Sequence, residues 1–192
     1  MKNVRARSSV AALILLALVT GPGHAVAQQR VRPTDADPNV QVGKGDASLA
    51  CEIADKVSKS LFYTMFDDVN VRVVDGIATL TGFVTASSKS KEFAKLASHV
   101  SGIQRVVNEV ETLPASMMDD ALRAEIAVKI YHDAAFSDHA KQRVAPVHII
   151  VRDGMVTLTG VVDSEAERQR AGLIARHAYG TWSVDNQLRL EK

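Results

Sequence analysis

The chain has 192 residues and a net charge of +1, with 23 basic against 22 acidic side chains. That balance argues against a nucleic-acid binder, which normally shows a basic excess or stripe. A single cysteine, Cys51, excludes an intramolecular disulfide; on a helix through this region it falls at the margin of the apolar stripe and reads as a half-buried bystander.

The N-terminus carries Lys2, Arg5 and Arg7, then the uncharged run Val10 to Val19, then the small-residue site Ala25-Val26-Ala27. This is the layout of a secretory signal peptide, too short to span a bilayer. The expectation is cleavage after Ala27 and a periplasmic mature chain; removal of the three cations leaves it at −2. Gln28 follows the site where a lipid-anchored protein carries Cys, so no anchor is expected there. Residues 28–45, with Pro33, Pro38, Gly43 and Gly45, read as a flexible tail. No later stretch is apolar enough over a sufficient length to cross a membrane.

From Asp46, a plausible cap, Leu49, Ile53, Val57 and Leu61 mark an amphipathic helix. Val69 to Val74 and Ile77 to Val84 are strands joined by Asp75-Gly76, a two-residue turn that needs φ > 0. Ser87 or Ser88 caps a second helix with inner residues Phe93, Leu96, Ala97 and Val100, and Gly102 stops it. Val106 to Leu113 is a third strand. The plan then recurs. Leu122, Ile126 and Ile130 mark a helix, and Ile149 to Val151 and Met155 to Val162 form a hairpin around Asp153-Gly154. Ser164 and Glu167 make a capping box for a helix with inner residues Ala171, Ile174, Ala175 and Ala178. Val184 to Leu190 closes the set. The link from Ile130 to Ile149, with His139, Lys141, Gln142 and Arg143, is longer than its counterpart.

Asp75 to Val84 and Asp153 to Val162 are identical at seven of ten positions, 78 residues apart. The same offset pairs Gly102 with Gly180 and Asn108 with Asn186, and a register held that long marks a tandem duplication. The predicted fold is α+β: two αββαβ two-layer sandwiches, residues 46–114 and 115–192, each a three-stranded sheet under two helices. Units of about 70 residues are marginal alone, so the two are expected to pack together or lean on a partner. Gly82 and Gly160, on the buried strand face, predict close approach of another element, a helix crossing the sheet being the first choice.

The repeated Asp-Gly-x-x-Thr-Leu-Thr-Gly-x-Val phrase, followed by a helix, a glycine and a Val-x-Asn strand, resembles the BON domain. The resemblance covers most of residues 46–192. It implies a phospholipid- or envelope-interacting module without enzymatic chemistry.

The residues themselves assemble no nucleophile, base and oxyanion donor, so no catalytic residue is assigned. The histidines show no ligand spacing, and neither a metal nor a cofactor is expected. Asp75, Gly76, Gly82, Asp153, Gly154 and Gly160 read as turn and packing residues, and Asn108 and Asn186 as satisfying nearby backbone. Surface candidates are Val128 and Tyr131, an apolar patch off the main stripe near Ala121 and Ala124, and Leu173 among Arg168, Arg170, Arg176 and His177. Trp182, the only tryptophan, joins them. Two readings stay open for these residues: a seat for anionic phospholipid, or a domain–domain contact beside a solvated basic face. A separate possibility is that the open sheet faces (Ile77, Thr79, Thr81 and Phe83, or Met155, Thr157, Thr159 and Val161) hold envelope proteins or unfolded clients.

Overall fold

A computed structural model of the chain describes residues 44–136 and 145–191. The expected signal peptide, all but the last residues of the tail, and His139 to Arg143 lie outside the described residues. The element order is α1 (Lys44–Ser58), β1 (Asp68–Val74), β2 (Ile77–Val84), α2 (Ser87–Ser98), β3 (Arg105–Thr112), α3 (Met117–Tyr131), a 3-10 turn (Ala134–Phe136), β4 (Val147–Arg152), β5 (Met155–Val162), α4 (Glu165–Arg176), β6 (Ser183–Asn186) and β7 (Arg189–Leu190). The αββαβ plan therefore appears twice.

In each unit the hairpin is antiparallel and the last strand pairs parallel to the second, after the helix has carried the chain back. The last strand of the second unit is split: Gln187 and Leu188 interrupt it, and β6 and β7 both pair with β5. Two separate cores form under the helices. Ile53, Val57, Leu80, Val84 and Phe93 fill the first, and Leu122, Ile126, Ile130, Ile149, Leu158 and Ala175 the second.

Several local expectations are corrected. The helix expected above Gly82 and Gly160 is instead the neighbouring strand's own backbone. Both glycines have strongly positive φ, 115° and 117°, and a Cβ would collide with the carbonyl oxygen of Asp68 or Pro146. Asp46 does not cap α1; its carboxylate accepts from the backbone N–H of Asp75 (3.0 Å) and Gly76 (3.3 Å). Asp119 does the same for Asp153 (2.9 Å) and Gly154 (3.0 Å). Each tight turn is thus pinned by the first helix of its unit. Ala86, not Ser87 or Ser88, is the cap position of α2, and no side chain bonds there. That helix ends at Ser98, ahead of Gly102. Cys51 is exposed. Ser164 caps α4 as expected, its Oγ accepting from Glu167 N–H (3.2 Å), while Glu167 Oε2 accepts from Asp163 N–H (3.0 Å), one residue before the cap.

The two units pack on each other. β4 is buried on both faces, although it is the edge strand of its sheet. Val147, Ile149 and Val151 face the helices of their own unit. On the other face, Ile150 joins Phe83 and Leu113 of the first unit in a small apolar seam. Ile149 N–H donates to the Met65 carbonyl (2.7 Å), so the α1–β1 connection covers the free edge that an uncapped strand would present. Arg152 lies 4.9 Å over the Phe83 ring and reaches Glu111 at 2.8 Å. Phe83, expected on an open sheet face, is consequently buried in the seam.

Candidate interaction surface

The hairpin-turn end of the second unit carries an apolar tip. Ser116 caps α3 by accepting from Asp119 N–H (3.2 Å), which starts the helix with Met117 and Met118 outside the core stripe. Across the turn, α4 ends and the chain runs through Tyr179-Gly180-Thr181-Trp182 into β6. Trp182 N–H donates to the Gly154 carbonyl (2.8 Å), Tyr179 N–H to Glu125 Oε1 (3.2 Å) and Thr181 Oγ1 to the Ala175 carbonyl (2.8 Å). The backbone of this segment is thereby fixed while the Tyr179 and Trp182 side chains stand exposed. Met117 is 90% exposed, Trp182 85%, Tyr179 83% and Met118 68%. Between Met118, Tyr179 and Trp182 lies an open groove of about 340 Å³, with Leu122 in its wall and Asp119, Glu125 and Asp153 among its lining residues. Lys129, and then the Tyr179 N–H, hold the Glu125 carboxyl below its usual range.

The duplication supplies an internal comparison. Gln104 takes the place of Trp182, donating its N–H to the Gly76 carbonyl at the same 2.8 Å. Ser101 stands at the position of Tyr179, and Lys44 and Gly45 at those of Met117 and Met118. The same scaffold therefore ends in polar residues in the first unit and in aromatic and thioether side chains in the second.

Of the surface residues expected from sequence, Trp182 lies in this tip groove, with Ala121 of the expected α3 patch. Val128 (57% exposed) and Leu173 are surface residues on α3 and α4. Tyr131 is corrected: it is half-buried against the second core, with its hydroxyl donating to the Val147 carbonyl (2.9 Å). Burial pushes its hydroxyl pKa up to about 12. The basic face of α4 is largely neutralised. Arg168 forks onto Glu165 with two 2.8 Å bonds, and Arg170 holds Asp133 at 2.9 and 2.7 Å. Arg176 makes no ion pair among the described residues. Asn108 and Asn186 are local anchors: Asn108 Nδ2 donates to Ser90 Oγ (2.9 Å) and Asn186 Nδ2 to the Arg168 carbonyl (2.7 Å). Asp75, Gly76, Asp153 and Gly154 form the pinned turns described above. Sequence reasoning missed Met117, Met118 and Tyr179. The signal available was that each is a large apolar residue where the first unit has a polar or small one.

Among the described residues there is no His, Cys, Asp and Glu grouping suited to a metal ion, and no helix long and apolar enough to cross a membrane. The family model for the BON domain matches residues 45–114 and again 123–192. The chain belongs to the BON domain family. Its two BON units are the two sandwiches seen in the structure. The BON chain is 32% identical over 130 residues to the "Osmotically-inducible protein Y" of Escherichia coli (strain K12), covering 64% of this chain and 61% of that protein. It is 28% identical over 143 residues to the "Uncharacterized protein in gshII 5'region" of Anaplasma centrale, covering 71% of this chain and 91% of that one. Among solved structures, the C-terminal domain of CdsD, a structural protein of the type III secretion system of Chlamydia trachomatis, matches with a TM-score of 0.30 at 16% identity. That match covers 77% of this chain and 67% of the other, and at such a score it carries no inference.

Proposed function

We propose that this BON protein is an exported, non-enzymatic component of the cell envelope, acting in osmotic or envelope stress, whose second unit seats its tip on a phospholipid surface. The similarity to an osmotically inducible protein and the signal-like N-terminus support the setting. The observation that carries the contact is the asymmetry between the two ends: Met117, Met118, Tyr179 and Trp182 stand exposed in one unit, where the other has Lys44, Gly45, Ser101 and Gln104. Tryptophan and tyrosine suit the headgroup level, where one side of the ring is apolar and the other wet. A cluster of large exposed apolar groups on a water-soluble domain marks a contact site. Because Arg168 and Arg170 are already paired, the tip rather than the α4 arginines supplies the main attraction, with Arg176 adding charge beside it.

Flotation of the mature chain with vesicles tests this. The double variant Tyr179→Ser, Trp182→Ser is expected to lose binding, while Arg170→Glu and Leu173→Asp weaken it less. Equal absence of the wild-type chain from zwitterionic and anionic vesicles would remove lipid as the ligand. Suppression of aggregation of an unfolded protein, in that case, would favour a client-binding role instead.

A further inference from the structure

The seam between the two units contains a buried ionisable group. His148 sits on β4 facing the first unit and is 8% exposed. Its ring is 5.2 Å from the Tyr63 ring and faces the backbone carbonyls of Thr64 and Asp67. Its cross-strand neighbour is Thr159. Among the described residues, neither His148 Nδ1 nor Thr159 Oγ1, both buried, has a hydrogen-bond partner. A cleft of about 340 Å³ lined by Ala54, Asp55, Val57, Ser58, Tyr63, Val69 and His148 leads from solvent to this ring. A proton can therefore reach His148 without either unit unfolding.

We propose that His148 is an acid-responsive latch between the two BON units, whose protonation parts them and uncovers the Phe83–Leu113–Ile150 seam together with Met65 and Phe66. The imidazole is the group that fits this role because a cation here would be held between two folded units and away from water. The surrounding charges pull in opposite directions. Asp67, fully buried, is already saturated: it accepts from Thr64 N–H and Oγ1, Thr85 N–H and Oγ1, and Lys89 Nζ at 2.7 Å. Asp68 on β1 favours the charged ring, and Asp55 of α1 lines the cleft. Arg152, on the same strand, is held by Glu111. Burial outweighs the carboxylates and holds the His148 pKa below its ordinary value. Acid thus favours the parted arrangement, in which the ring regains water. Each unit keeps its own core, so parting exposes apolar surface without unfolding.

The test is a proton-NMR titration of the histidine rings in the intact chain from neutral to mildly acidic pH, alongside binding of a dye that reports exposed apolar surface. His148 is expected to titrate below the ordinary histidine value, with dye binding rising over the same range. His148→Gln is expected to abolish that step while far-UV circular dichroism stays unchanged. Ile150→Asp, which opens the seam without altering the ring, is expected to bring the His148 titration back towards the ordinary histidine value. Titration of His148 at or above the ordinary histidine value in the wild type, or an unchanged dye step in His148→Gln, would overturn the proposal.

Discussion

Gly160 and Gly180 both adopt positive φ, 117° and 89°, yet only at Gly160 does neighbouring backbone occupy the place of a Cβ. Gly160→Ala is therefore expected to cost more than about 1 kcal/mol and Gly180→Ala distinctly less, as urea unfolding would show. Asp119 gives a second residue-level prediction. It is buried, and its carboxylate satisfies two turn N–H groups. Asp119→Ala should cost about 1–3 kcal/mol, and more than Asp46→Ala, because Asp46 does the same work closer to solvent. The Asp-Gly turns were legible because their requirement for φ > 0 is local. The carboxylates that pin them were not, since they act across 29 and 34 residues. The offset between Asp46 and Asp119 is 73 rather than 78, so the register that exposed the duplication hid their equivalence.

At the level of elements, alternation and helical stripes located both hairpins and the four described helices, because each element buries one face against its own unit; Leu61, expected to end the first stripe, instead lies beyond α1 and is exposed. β4 departs from that pattern: Val147 to Val151 is buried throughout, and its second face is covered by residues from the preceding unit. No periodicity within the strand identifies such a partner. Removing side-chain volume from the two places should separate their roles. Ile126→Ala, deep in the second core, is expected to cost about 2–5 kcal/mol. Ile150→Ala, in the seam, should reduce the coupling between the units more than the stability of either core. Unfolding transitions followed by probes in each unit would coincide in the wild type and separate in Ile150→Ala. The buried His148 adds a pH dependence with a definite sign. Its folded pKa is depressed, so below the ordinary value of about 6.5 the unfolded chain binds a proton that the folded chain resists. Its contribution is intact above that pH and is lost as the pH falls towards the depressed value.

The whole molecule is two copies of one plan put to different uses. The first copy covers the edge and open face of its neighbour, through Met65, Phe66, Phe83 and Leu113. The second presents Met117, Met118, Tyr179 and Trp182 to the outside. The family and the fold could be read from the repeated phrase, but this division of labour could not. Exposed apolar residues at helix ends and turns follow no period, and an arginine-rich helix face looks unpaired until Glu165 and Asp133 are seen beside it. Burying one large apolar side chain contributes about 1.5–3 kcal/mol, so loss of Trp182 alone should weaken vesicle binding by about tenfold or more. Because Trp182 is the only tryptophan and stands almost fully in solvent, its emission reports contact of the tip with lipid. Addition of phospholipid vesicles to the protein is predicted to shift that emission to shorter wavelength, in proportion to the fraction bound. Bound protein whose tryptophan emission stays at the wavelength of the free chain would show that the tip is not the lipid-contacting surface.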